Sequence, residues 1–380
     1  MRKTLVHGRV LTDEGWRDDV AVVVEDGWIR ELAALGSVSA DADKLDLSGR
    51  TVLPGFIDCQ VNGGGGVLFN DTPSVASIQA IGDAHRQFGT TGFLPTLISD
   101  DMDKMRTAIN AADAAIAAGA PGVLGIHLEG PFLSRERKGV HDPRFLHTPD
   151  ADELRLAASL KQGVTLLTLA PECVAPDAIR ALVAHGVIVS AGHSNADYAT
   201  VRAALDAGAS GFTHLFNAMS PLTSRAPGMV GAALDDANAW CGIIVDGHHV
   251  DAASLRVALK AKPRGKVFLV TDAMPSVGAA NPSFVLNGET ITARDGICQT
   301  AIGTLAGSAL DMIDAVRNSV AMLAVPLDEA ARMAATYPAQ FLGLGTTHGR
   351  IAQGCRADFT VVDEALRVTE TWIGGDRQAA

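Results

Sequence analysis

The segment Val187-Ile188-Val189-Ser190-Ala191 is apolar and β-branched and ends in Gly192-His193; further on, Ala209-Ser210-Gly211-Phe212-Thr213 repeats the pattern and ends in His214. Short apolar runs without polar alternation are the signature of strands buried on both faces, and such strands belong to parallel sheets covered by helices. Six more runs share this character: Val52 to Cys59, Gly92 to Leu97, Val123 to Leu128, Val164 to Leu169, Cys241 to Val245 and Val267 to Thr271. The gaps between them carry helical periodicity. Ile78, Ile81, His85 and Phe88 stop at Gly89, and Met102, Met105, Ile109, Ala112 and Ile116 stop at Gly119, with glycine placed as a C-terminal cap. Eight β/α alternations over roughly 250 residues predict an α/β fold closed as a (β/α)8 TIM-like barrel, with an open doubly wound sheet as the alternative.

The two ends of the chain read differently. Val20 to Val24, closed by Glu25-Asp26-Gly27, and Trp28 to Leu32 form a predicted hairpin, and Phe359 to Val362 and Val368 to Ile373 are strand-like. A small β-sandwich domain built from both termini is expected, over residues 1–52 and 346–380, around a barrel over 53–345. Within the barrel, the segment from Pro275 to Gly307 breaks the rhythm. Its turns Asn287-Gly288 and Asp295-Gly296 predict a β insertion over the barrel mouth, followed by a helix from Ser308.

Composition narrows the function classes. Of the 380 residues, 43 are acidic and 31 are Lys or Arg, a net charge of -12, which argues against nucleic acid or an anionic membrane as partner. Five scattered cysteines form no C-x-x-C pair, so a reducing, cytoplasmic compartment is expected and a cysteine-held zinc cluster is not. The longer uncharged runs are broken by Gly, Pro or His before reaching the ~20 apolar residues of a membrane span. The first residues, Met1 to Gly8, lack the apolar region of a secretory signal.

Residues just past the C-terminal ends of barrel strands share one mouth, so the polar residues that end the eight runs decide the chemistry. They are Asp58-Cys59-Gln60-Val61-Asn62, His127-Leu128-Glu129, His193, His214, Asp246-Gly247-His248-His249 and Asp272. Glu129, His193 and His214 supply one carboxylate and two imidazoles, a ligand set for a divalent zinc-like ion that leaves a position for water. Such an ion lowers the pKa of water toward ~7, and Asp272 is the expected base. Singly, a strand-end histidine is an ordinary core residue and a strand-end aspartate an ordinary helix cap. The convergence of four on one mouth favours the metal site.

Other features carry less. The run Gly63 to Gly66 fails as a dinucleotide fingerprint, because Leu68 or Phe69 stands where the third glycine is required, and it reads as a flexible active-site turn. His7, His85, His147, His185 and His348 read as surface or packing residues, and His127 as a residue behind the ligands. The basic loop Arg135, Arg137 and Lys138, and the loop Ser224 to Gly228, read either as a phosphate or carboxylate contact or as solvated charge.

Seven segments in order along nearly the whole chain carry a resemblance: Pro54 to Asp58, His127 to Phe132, Lys138 to His141, Gly192 to Ser194, Thr213 to Met219, Asp246 to Asp251 and Val270 to Ala273. The chain resembles the N-acetylglucosamine-6-phosphate deacetylase family of the amidohydrolase superfamily; the His-Leu-Glu-Gly-Pro and Thr-His-Leu-Phe-Asn-Ala-Met segments are specific to that family. The resemblance implies deacetylation of N-acetylglucosamine 6-phosphate to glucosamine 6-phosphate and acetate. Glu129, His193 and His214 would hold the metal, and Asp272 would activate water and protonate the leaving amine. His141 would contact the acetamide oxygen or the sugar. His249, the Asn217-Ala218 backbone and Arg225 would hold the phosphate, Arg225 reaching in from the second subunit of a homodimer. The usual His-x-His of the first strand is Gln60-Val61-Asn62 here, a remnant of a second metal site. One divalent ion per subunit is therefore expected, Zn2+ first, with Fe2+, Co2+ or Mn2+ as alternatives. Competing readings are a deacetylase of another N-acetylhexosamine 6-phosphate, another amidohydrolase such as a cyclic amidase, and a non-enzymatic barrel.

Overall fold

The computed structural model describes residues 2–39 and 41–379. Eight parallel strands form one sheet in sequential order: Phe56–Val61, Thr90–Ile98, Gly125–Glu129, Val164–Leu169, Ile188–Ala191, Gly211–Phe212, Trp240–Ile243 and Val267–Leu269. Register brings the strand ends to one level, with Ile98 opposite Glu129, Glu129 opposite Thr168, Leu169 opposite Ala191 and Ala191 opposite Phe212. The barrel closes through residues beyond the last strand. The Asp272 N–H donates to the Gln60 carbonyl at 3.0 Å, the Asn62 N–H donates to Ala273 at 2.9 Å, and the Thr271 hydroxyl donates to Asp58 Oδ2 at 2.5 Å. Burial of Asp58 raises its pKa to about 7, against the hydrogen bonds from Thr271 and Gln60.

Alternate strand residues sort by chemistry. Ile126, Leu128, Leu167, Leu169 and Val189 pack with helix residues such as Ile109, Ala112, Ile179 and Leu182. The residues between them carry polar groups into the barrel, where the His127 ring bonds Thr168 at 2.8 Å and Thr168 bonds Thr213 at 2.7 Å. The predicted helix stops hold. Val75–Arg86, capped by Ser74, ends before Gly89 at φ +86°, and Met102–Ala117, capped by Asp101, ends before Gly119 at φ +71°.

Strands from both termini form a second unit. One sheet holds Arg2–Val6, Val20–Glu25, Trp28–Ala34 and Lys44–Asp46. The other joins Arg9–Thr12, Gly15–Arg17 and Thr51–Pro54 to Phe359–Val362, Val368–Ile373 and Asp376–Ala379. Leu5, Val22, Val24 and Ile29 of the first pack with Val10, Val52, Phe359, Val361 and Trp372 of the second, which makes a sandwich.

Three sequence expectations shift. The run Val52 to Cys59 is two strands: Thr51–Pro54 pairs antiparallel with Phe359–Val362 in the small sheet, and Phe56–Val61 opens the barrel. They part at Gly55, where a Cβ would lie 2.2 Å from the Thr91 hydroxyl. The insertion contains the expected hairpin Ser283–Leu286 and Glu289–Thr292, and also a strand Leu305–Ser308, paired with Ile297–Gln299, that sequence patterning did not anticipate. The following helix is Met312–Leu323, capped by the Asp311 carboxylate; Ser308 ends the strand before it and donates to the Thr271 carbonyl at 2.6 Å. No helix among the described residues is long and apolar enough to cross a membrane.

Candidate metal centre and active site

Glu129 ends its strand, and His193 and His214 stand two residues beyond theirs. Both histidines have left-handed backbone, at φ +47° and +34°, as does Asp272 at +54°. Non-glycine residues held there carry about 1–3 kcal/mol of strain each, and such strain concentrates at functional sites. The strained turns aim side chains back over the barrel axis. Donor atoms of Glu129, His193 and His214 all lie within 4.8 Å of one another. The two Nε2 atoms are 3.0 Å apart, and they stand 3.2 Å (His193) and 3.1 Å (His214) from Glu129 Oε1.

The donor set fits a divalent cation. The His193 Nδ1 lies 2.8 Å from the Arg137 carbonyl, which can only accept, so Nδ1 carries the proton and the Nε2 lone pair faces the centre. An imidazole lone pair and a carboxylate oxygen converging on one buried point lack a positive partner. Burial opposes charge on Glu129 and on His214, but the two imidazoles facing it hold the Glu129 carboxylate well below the usual range, and the Glu129 contact raises His214. These three residues could hold one divalent metal ion.

Gln60 and Asn62 turn hydrogen-bond donors toward the carboxylates. Gln60 Nε2 reaches Glu129 Oε1 at 3.1 Å, Oε2 at 3.2 Å and Asp272 Oδ1 at 3.1 Å, and Asn62 Nδ2 reaches Asp272 Oδ1 at 2.6 Å. An N–H donor cannot ligate a cation, so in this arrangement the pair braces carboxylates. Burial, with the nearby Glu129 charge, raises Asp272 to about 6, against the pull of His214, His249 and Asn62. A carboxylate there is basic enough to take a proton and acidic enough to return it.

His141 is buried beside His193, ring centroids 4.5 Å apart. Its partner is Ser99, a residue that sequence patterning did not single out: the Ser99 N–H donates to His141 Nδ1 at 3.2 Å, and Ser99 Oγ lies 2.8 Å from the same nitrogen. A backbone N–H can only donate, so Nδ1 is the acceptor and Nε2 carries the proton. Burial and the neighbouring His193 lower the His141 pKa to about 3, which keeps the ring neutral. His141 thus offers a fixed N–H donor to the cavity. His141→Ala is expected to lower kcat about 10²–10³-fold with metal content unchanged, read by steady-state kinetics and metal analysis; wild-type kcat would show that no reacting oxygen uses this donor.

Glu129, His193, His214, Asp272 and His141 line a cavity of about 360 Å³ together with Asn217, Ala218 and His249. His249 Nδ1 lies 2.6 Å from Asp246 Oδ2; burial works against the Asp246 charge, but His249 and the His248 and His249 N–H groups hold that carboxyl down to about 2. The Asn217 N–H donates to the His214 carbonyl at 3.0 Å, and Ala218 stands at φ +50°. Arg225 does not join them within one chain: it is exposed, in a loop over 221–227 that is exposed throughout. His127 lies in the barrel interior, and His85 is buried with its ring on the Gly63 carbonyl. The glycine run is stitched down rather than loose, since Gly63, Gly65 and Gly66 donate to Ala273, Val277 and Pro275, the segment that follows Asp272.

The same architecture occurs in known proteins. The amidohydrolase family profile matches residues 51–377. An N-acetylgalactosamine-6-phosphate deacetylase of Shewanella sp. (strain ANA-3) is 45% identical over 372 residues, 97% of this chain and 94% of that one. An N-acetylglucosamine-6-phosphate deacetylase of Haemophilus influenzae is 34% identical over 382 residues, 99% of each. The crystal structure of N-acetylglucosamine-6-phosphate deacetylase from Pasteurella multocida superposes with a TM-score of 0.97 at 37% identity, covering 100% of both chains. With barrel, strand-end residues and extended identity in agreement, the chain belongs to the amidohydrolase family, in its branch of N-acetylglucosamine- and N-acetylgalactosamine-6-phosphate deacetylases.

Proposed function

We propose that this chain hydrolyses the acetamide of N-acetylglucosamine 6-phosphate to glucosamine 6-phosphate and acetate, in the cytoplasm, as a homodimer with one Zn2+ per subunit. The observation that carries the reading is the buried group Glu129, His193 and His214 opening into one cavity with Asp272 and the His141 donor. A divalent cation on those three residues supplies Lewis acidity toward the amide oxygen and toward water. The protein's own groups handle the protons. Asp272 takes one proton from the attacking water as the new C–O bond forms, His141 Nε2–H donates to the oxygen that gains negative charge, and Asp272 returns its proton to the nitrogen as the C–N bond breaks. Water and amide are thereby balanced by amine and acetate.

The phosphate contacts proposed are His249, the Asn217-Ala218 backbone and Arg225 of a second copy. What supports the dimer is an exposed apolar groove beside the Arg225 loop, lined by Phe216, Met219, Leu222, Val230 and Val257, with Leu222 53% and Val257 59% exposed. The division proposed is a small β unit of residues 1–52 and 346–380 around a barrel of 53–345; strand Thr51–Pro54, paired with Phe359–Val362, carries the small unit on as far as Gly55.

Acetate release from N-acetylglucosamine 6-phosphate, measured beside metal analysis, tests the reading; an active protein free of metal would refute it. Unphosphorylated N-acetylglucosamine is expected to show kcat/KM lower by about 100-fold or more, since unpaired phosphate partners cost several kcal/mol. Equal kcat/KM would remove the phosphate site. The 45% relative makes the C4 epimer the competing substrate. A kcat/KM higher for N-acetylgalactosamine 6-phosphate would reassign the sugar and leave the chemistry intact.

A further inference from the structure

The two histidines of the metal centre are not held alike. His214 Nδ1 is buried without a hydrogen-bond partner. His193 is gripped from two sides: its ring Nδ1–H donates to the Arg137 carbonyl at 2.8 Å, and its own carbonyl accepts from the Ser134 N–H at 2.9 Å. Both contacts come from one loop, and that loop is tied in turn to the residues that follow His193. Arg137 Nε donates to Asn195 Oδ1 at 3.0 Å, and Asn195 Nδ2 donates to the Glu136 carboxylate. The turn itself is fastened by Glu172, which enters from the loop after strand Val164–Leu169. Its Oε2 accepts from Ser194 Oγ at 2.6 Å, and its Oε1 accepts from the Asn195 N–H at 2.7 Å.

These bonds close a ring around one ligand, through Glu172, Asn195, the 136–137 loop and the His193 imidazole. The ring opposes the relaxation of a residue whose backbone stands at φ +47°. We propose that Glu172 and Asn195, both exposed and neither touching the proposed ligand atoms, are positioning residues that set metal affinity by holding His193 in its ligating orientation. The inference rests on the metal reading above and concerns only how that site is held.

The test measures Zn2+ affinity of the metal-stripped full-length protein by competition with a chelating indicator, together with the melting temperature of the metal-free form. Glu172→Ala and Asn195→Ala are expected to weaken Zn2+ binding by about 10–100-fold, the range of changes behind metal-ligating histidines, at unchanged metal-free melting temperature. Glu172→Gln, which retains one acceptor oxygen for two donors, is expected to fall between Glu172→Ala and wild type. Wild-type affinity in both alanine variants would overturn the proposal, as would an affinity loss matched by an equal loss of metal-free stability, which is what a merely structural role produces. Failure of the wild-type protein itself to bind Zn2+ would overturn the metal reading instead, and that result is visible before any variant is made.

Discussion

Asp272→Asn is expected to lower kcat on the 6-phosphate substrate by about 10²–10⁴-fold while leaving metal content and KM close to wild type. The reason lies in which oxygen is braced. Gln60 Nε2 and Asn62 Nδ2 both bond Oδ1, so an asparagine that keeps its carbonyl oxygen there preserves both contacts. Its NH2 then replaces Oδ2, the oxygen left to handle the proton, and an amide nitrogen can neither take that proton nor give it back at neutral pH. Shape and hydrogen bonding survive, and only the transfer is removed. Steady-state kinetics with metal analysis reads the result. Turnover within tenfold of wild type would move the base elsewhere.

Glu129→Ala is the second large effect. The carboxylate is the one anionic member of the ligand group, and its Oε1 is the point toward which both imidazole Nε2 atoms converge. Without it two neutral rings remain, and Gln60 Nε2 loses two of its three acceptors. Zn2+ affinity is expected to fall by more than about 100-fold, beyond what changes behind the ligands reach, and activity should fall with it. Metal content after exhaustive dialysis reads this. One tightly held ion per chain in the variant would remove Glu129 from the ligand set.

The barrel was legible in the sequence because each strand buried on both faces has to be an apolar run, and because Gly89 and Gly119 mark helix ends by a conformation that few other residues adopt. The chemical residues were legible for a related reason: Glu129, His193, His214 and Asp272 each break an apolar run at the end that faces the mouth. The division at Gly55 was hidden, since both halves of Val52 to Cys59 are buried and periodicity does not tell which sheet buries them. Leu305–Ser308 was hidden for the opposite reason, its apolar content being too low to stand out from the surrounding turns. Ser99, Glu172 and Asn195 make hydrogen bonds set by the path of neighbouring loops. A serine after a strand and an Asn after a His-Ser pair carry no pattern until those loops are seen together.

Strand Thr51–Pro54 pairs with Phe359–Val362, whose partners run to Ala379. During translation the first half of that sheet must wait for roughly 300 residues to emerge, about 15–60 s at elongation speeds of ~5–20 residues per second. Through that interval the edge of Thr51–Pro54 stays open to wrong partners on the nascent chain or on its neighbours. Shortening the C-terminal tail, even though it lies far from the catalytic groups, should therefore show first as poor soluble yield rather than as slow catalysis.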